Sequence, residues 1–183
     1  MQQPTSFMHD ALQRYRDQWH GESATVAQFE TFLHTHANAF ERSNPTGHFT
    51  GSSWLVSADG LRVLLMHHRK LDRWLQPGGH ADGDTDLARV ALREAQEETG
   101  VAGLRVESGI LDIDRHRIPA REDEPEHWHY DVRYVVRAGI NERFAVNQES
   151  RALAWRPVAE VAADNSLDAS LRRMAHKWLG VAA

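Results

Sequence analysis

Residues 79 to 101 read GHADGDTDLARVALREAQEETGV and constrain the fold more than any other stretch of the chain. Leu87, Ala88, Ala91, Leu92 and Ala95 recur at helical spacing and form one apolar face of a helix from about Asp86 to Thr99. Gly100 stands where a helix ends in a left-handed residue, and the Gln76-Pro77-Gly78-Gly79 turn closes the segment before it. The opposite face carries Glu94, Glu97 and Glu98. Side chains three and four residues apart are neighbours on a helix, so these like charges repel unless a cation or solvent relieves them. Oxygen-only ligands are what Mg²⁺ or Mn²⁺ prefers, and a hard metal beside a glycine turn points to phosphate chemistry.

The rest of the chain alternates helices and strands. Met8, Leu12, Tyr15 and Trp19 make an apolar helical stripe that ends near Gly21. Thr25 and Gln28 have the spacing of a capping box for a second helix bearing Val26, Phe29, Leu33 and Ala37. Ser43 to Gly51 is polar and glycine-bearing, which places a boundary between a helical extension (1–45) and a sheet domain (46–183). Trp54–Ser57 and Leu61–His67 flank Ala58-Asp59-Gly60, a hairpin signal. Leu71–His80 reads as a loop. Leu104–His116 and His129–Val136 read as strands around an acidic loop, Arg121–Glu126. A short strand at Ala152–Trp155, a short helix at Pro157–Ala163 and a last helix capped by Ser166 follow, the latter with Leu167, Leu171, Met174 and Trp178 on one face. Interleaved strands and helices predict an α/β layered domain.

Composition excludes several classes. The 183 residues suffice for one domain with an added lobe. Hydrophobic content of 41% with 26% charged residues is that of a globular chain, not a disordered one. A net charge of −5 provides no basic field for a nucleic acid polymer or an anionic membrane. No apolar run approaches ~18 residues and no signal-peptide pattern is present, so neither membrane nor export is expected. With no cysteine there are no disulfides, thiolate nucleophiles or cysteine zinc sites, and a cytoplasmic location is expected.

Gly79, five residues, Thr85, seven residues and then Arg93-Glu94-Ala95-Gln96-Glu97-Glu98-Thr99-Gly100-Val101 closely resembles the Nudix box, G-x5-E-x7-R-E-U-x-E-E-x-G-U with U aliphatic. The resemblance covers about residues 48 to 163, including Trp155-Arg156-Pro157. It implies a Nudix-type α/β/α sandwich with a mixed β-sheet, here with an N-terminal helical extension and a C-terminal helix. It also implies a pyrophosphohydrolase using Mg²⁺ or Mn²⁺ on a small nucleotide-type substrate. On the family's pattern Glu97 and Glu98 bind metal, Glu94 completes the set, the Gly78 carbonyl adds a ligand, and Arg93 orients Glu97. One position departs: Thr85 replaces the usual glutamate, with Asp84 and Asp86 beside it as electrostatic substitutes or simple capping residues. That departure leaves open a nucleotide-binding regulatory domain with little or no turnover. The isomerase branch of the family uses a cysteine and is set aside.

Members of the family take a further carboxylate from a loop before a tryptophan-bearing strand. Glu149, six residues before Trp155, fits that place, although a solvated loop glutamate remains the alternative. Glu122, Asp123, Glu124 and Glu126 are other candidates, in a loop that could fold over the site. His127, His129 and Asp131 alternate on one strand, and Asp112, Asp114 and His116 alternate on the preceding one. Paired, they make a polar cluster on one sheet face: a second metal site, a phosphate contact, a base-recognition wall, or a satisfied network beneath the catalytic helix, which is the favoured reading. His67 and Arg69 border the loop leading into the box and Trp74 lies within it. These three, with His127 and His129, are the expected substrate contacts. The N-terminal helices pack either on their own sheet or on a partner, which leaves a homodimer open.

Overall fold

The computed structural model describes residues 4–121 and 124–180, so Glu122 and Asp123 lie outside the described residues. Helix α1 (Pro4–Gln18) leads through one 3-10 turn at His20–Glu22 into α2 (Ser23–Thr35). Strands β1 (Gly47–Val56), β2 (Arg62–His68), β3 (Arg73–Leu75) and β4 (Gly78–His80) precede α3 (Leu87–Thr99). Then come β5 (Arg105–Ile118), β6 (His127–Arg137), β7 (Ser150–Pro157), α4 (Val158–Ala163) and α5 (Ala169–Trp178).

The sheet runs β3-β2-β1-β6-β5, with β4 paired to β1 and β7 to β2. It is mixed: β1 and β6 are parallel over ten residue pairs from Gly47↔Trp128 to Val56↔Arg137, and the other pairings are antiparallel. Successive side chains on a strand face opposite ways, so β1 feeds two layers. Phe49 joins Tyr130, Val132 and Tyr134 of β6 under α1, α2 and α3 in one apolar cluster. Trp54 and Val56 join Val63, Leu65 and Val135 under α4 and α5 in another. The outcome is the expected three-layer sandwich.

The N-terminal helices share the core of the sheet. Phe29 packs edge-to-face on Tyr130 at 5.2 Å, and Phe32 stacks on the same ring at 4.0 Å. Burying each phenylalanine contributes about 1.5–3 kcal/mol, with about 0.5–1.5 kcal/mol more from favourable ring geometry.

Four local expectations are corrected. Strand β1 starts at Gly47, so most of the supposed boundary segment is central strand. Its second glycine is there for space: a Cβ on Gly51 would lie 2.8 Å from the Leu87 carbonyl oxygen and 3.0 Å from Val90 Cβ. The Leu71–His80 loop contains two three-residue strands, paired to β2 and β1. Helix α2 begins at Ser23, which puts Thr25 inside it and not at its cap. Helix α5 is capped by Asp168, whose carboxylate accepts from Ser170 N, while Ser166 bonds to Asp164.

Candidate active site

Helix α3 is fixed at both ends by its sequence. The Asp86 carboxylate accepts from Arg89 N at 3.1 Å, and Gly100 takes φ 66°, with its N–H on the Gln96 carbonyl. Leu87, Val90, Ala91 and Ala95 are buried against the sheet, which turns the glutamate face toward β4. There Gly79 stands opposite Gly51, and Gly78 opposite Ser52.

Glu98 is buried, at 6% exposure, and its carboxylate accepts from Gly78 N at 2.8 Å. Burial pushes its pKa up to about 8 against the pull of that hydrogen bond, with repulsion from Glu94 and Glu149 and a hydrogen bond to Glu149 adding to the rise. Glu94 is half-buried and also raised by burial, although Arg93 opposes the shift. The Gly79 backbone lies against it: a Cβ there would be 2.5 Å from the Glu94 carboxyl carbon. Glu97 is exposed.

Arg93 departs from expectation. Its guanidinium donates to Glu94 Oε1 at 2.9 Å and to the His80 carbonyl at 3.0 Å, so the carboxylate it fixes is Glu94, not Glu97. Asp84 is engaged by Arg89, at 2.6 and 2.8 Å, and Asp86 by the helix cap, so neither is hydrogen-bonded to Arg93 in place of a glutamate at Thr85, although Asp84 and Arg93 attract each other.

Glu149 reaches the group from a loop tied down on both sides. Ala145 N donates to the Thr99 carbonyl at the end of α3, and Asn147 Oδ1 accepts from Glu149 N at 2.9 Å and Ser150 N at 3.2 Å. Arg69 donates from its backbone to the Glu149 carbonyl, and its guanidinium spans the Gln148 and Ser150 carbonyls at 3.0 and 2.9 Å. Arg69 thus holds the loop carrying Glu149. That role was not expected, because both guanidinium bonds join segments some 80 residues apart; the local turn made by Asn147 was not expected either. His67 and Trp74 pair across β2 and β3 with rings 5.2 Å apart, and Trp74 also packs against the cluster around Trp54. Glu126 is engaged elsewhere, by Arg117, while Glu124 lies between Arg42 at 3.7 Å and His127 Nε2 at 4.0 Å, at the edge of the second polar cluster.

The second polar cluster forms, but on the other face of the sheet from α3. Asp131, His129 and Arg133 face with Thr50, His48 and Ser52, not with Gly51, against which α3 packs. Asp131 accepts from Thr50 at 2.9 Å, Ser52 at 2.7 Å and Arg133 at 2.7 Å. Fully buried Asp112 accepts from Arg133, Arg173 and Lys177. Burial alone would raise the Asp112 carboxyl, but these cations hold it below the usual carboxylate range. The carboxylates are a satisfied network; buried His48 is not. His48 and His80, absent from the sequence-based cluster, join His127 and His129 there. Among the described residues no helix is long and apolar enough to cross a membrane.

Comparison with known proteins agrees with this fold. The family model for the NUDIX domain matches residues 48–178. A NUDIX-family hydrolase from Clostridium perfringens superposes with a TM-score of 0.55 at 23% identity, covering 73% of this chain and 96% of that one. An Ap4A hydrolase from C. elegans gives 0.57 at 14% identity (72% and 95%), and the MutT protein of Methanosarcina mazei Go1 gives 0.57 at 17% (75% and 96%). No curated protein sequence matches the chain. The match spans most of the sequence, including both the glutamate-bearing helix and the loop of Glu149, and the chain belongs to the Nudix family of pyrophosphohydrolases.

Proposed function

We propose that the chain hydrolyses a diphosphate linkage in a small nucleoside diphosphate derivative, using Mg²⁺ or Mn²⁺ held by Glu94, Glu97, Glu98 and the Gly78 carbonyl. The observation that carries this reading is the convergence of Glu94, Glu98 and Glu149 on the Gly78-Gly79 turn. The donor set is all oxygen, as these hard cations require. A buried carboxylate raised to about 8 also calls for a cation to be ionised at neutral pH. A bound divalent ion supplies charge neutralisation on the diphosphate oxygens and a more acidic water.

The chain's own groups do the positioning. Gly78 N fixes one Glu98 oxygen, Arg93 fixes Glu94, and Arg69 with Asn147 holds Glu149 where it can take a proton from the attacking water. His67 and Trp74 lie at the end of β2 and on β3, beside the loop that Arg69 holds, and are the proposed contacts to the rest of the substrate. Relatives in fold include an Ap4A hydrolase and the E. coli dihydroneopterin triphosphate pyrophosphohydrolase (17% identity, TM-score 0.53, covering 70% of this chain and 92% of that one), both named for substrates with phosphoanhydride chains. The test is a panel of nucleoside triphosphates, ADP-ribose, NAD and dinucleoside polyphosphates, with and without Mg²⁺. At least one should be hydrolysed, and Glu98→Gln should lower its rate by about 100-fold or more. Tight nucleotide binding without product, or full activity in Glu98→Gln, overturns the proposal.

A further inference from the structure

Four imidazoles gather on the sheet face away from α3, brought from three strands. The parallel register sets His48 beside His129, β4 places His80 next to them, and His127 follows two residues before His129. Ring centroids lie 5.0 Å apart for His48–His80, 4.8 Å for His48–His129, 5.2 Å for His80–His129 and 5.0 Å for His48–His127. One nitrogen from each of His48, His80 and His129 falls within 4.8 Å of the others. Rotation about χ2, a soft torsion in histidine, is enough to bring them closer.

Two observations separate this cluster from ordinary packing. His48 is 1% exposed, yet neither ring nitrogen has a hydrogen-bond partner among the described residues. A neutral imidazole always carries one N–H and one lone pair, and leaving both unmet in the interior is costly. The second observation is the tautomer of His127. Its Nδ1 lies 2.8 Å from the Pro125 carbonyl, which can only accept, so the proton sits there and the Nε2 lone pair points into the cluster. That Nε2 is 3.3 Å from His129 Nε2. A tetrahedron with Zn–N bonds of about 2.0–2.1 Å has edges of about 3.3–3.4 Å, the same separation. The histidine–carbonyl bond is also the usual outer support of a metal-binding imidazole.

We infer that His48, His80 and His129, with His127 at the fourth corner, bind one transition-metal ion of the Zn²⁺ class. The site is chemically unlike the carboxylate set on α3: nitrogen ligands suit Zn²⁺, Co²⁺ or Ni²⁺, and oxygen ligands suit Mg²⁺ or Mn²⁺. The two meet in β4. The His80 side chain faces the imidazoles, while its carbonyl accepts from Arg93 and Gly78 N holds Glu98. Metal at the histidines therefore clamps the back of the strand whose front carries the glycine turn. Binding there rests on the imidazole geometry alone and is independent of any diphosphate hydrolysis.

The experiment uses tag-free full-length protein stripped with a chelator and titrated with Co²⁺ in the absence of substrate. One equivalent should give the intense visible spectrum of four-coordinate cobalt, displaced stoichiometrically by Zn²⁺. His129→Gln and His48→Phe should lose it, with affinity falling more than the ~10–100-fold typical of outer-support residues. Glu98→Gln should keep it. His80→Gln, at a half-buried strand end, serves if His48→Phe fails to fold by circular dichroism. No spectrum, or a weak six-coordinate one that disappears in Glu98→Gln and survives in His129→Gln, overturns the inference.

Discussion

The adjacent glycines before α3 should fail in opposite ways when each is replaced by alanine. At Gly79 a Cβ would lie 2.5 Å from the Glu94 carboxyl carbon and from Oε2, against about 3.4 Å for ordinary contact. The carboxylate therefore has to retreat by about 0.9 Å. It is the end of a flexible side chain, so the fold yields cheaply there and Tm should fall by no more than about 3 °C. The chemistry cannot yield as cheaply: a misplacement of ~1 Å in a reacting constellation costs on the order of 100-fold, about 2.7 kcal/mol of barrier. At Gly78 the new Cβ would meet Ser52 at its Cβ (2.7 Å) and its Cα (2.8 Å). Ser52 is central in β1, paired with Arg133 on one side and Gly78 on the other, so backbone must move. Overpacking of this kind costs about 1–3 kcal/mol or more, or roughly 5–10 °C in Tm for a chain of this size. Steady-state kinetics on the best panel substrate, beside thermal melts of both variants, separate the two effects. A Gly79→Ala enzyme with kcat within threefold of the parent would refute the reasoning, since Glu94 would then not need its place.

Glu98 should make the metal-free protein lose stability as pH rises. Its folded pKa is about 8 against 4.5 for an unperturbed glutamate, so the native state holds a proton that the unfolded chain has released, and that advantage disappears as pH climbs through 8. The gap between those two values sets a ceiling of about 5 kcal/mol. Urea melts with chelator from about pH 5 to pH 9 should show the decline; Glu98→Gln should flatten it and Mg²⁺ should reverse it, while a flat parent profile would count against the assignment. Asp112→Asn should leave Arg133, Arg173 and Lys177 facing a neutral amide in the interior, at about 3–5 kcal/mol. Calorimetry should record a Tm lower by about 10–15 °C, and a loss under about 3 °C would show the network to be dispensable.

Local order was legible wherever a short-range signal carried it. The apolar repeat of Leu87 to Ala95, the Gly100 stop and the box spacing placed α3 to within a residue. Glu149 was reachable because its spacing to Trp155 is also local, and its influence on Glu98 agrees with that placement. Contacts between distant segments were not legible. His48 carries no signal of its own; it becomes notable only when the parallel register sets it beside His129. Arg69 looked like an exposed cation because its partners are carbonyls, which no residue identity advertises. Gly47 and Gly51 looked like a linker because the close backbone approach that requires them is made by later elements.

Lys177 binds Asp112 at 2.6 Å and Tyr15 at 2.6 Å, a bond spanning 162 positions of sequence. During synthesis Asp112 emerges well before Arg173 and Lys177, and α1 before either. Until α5 is made, the carboxylate has Arg133 alone among these cations, and Tyr15 lacks its ammonium partner. The stripe of α1 and the edge strand β5 can meet early through their apolar side chains, but their polar groups are matched only near the end of translation. Final locking of this α/β sandwich is thus tied to the arrival of its last helix, and in a ribosome-bound chain lacking α5 Asp112 has one cation where the finished fold gives it three.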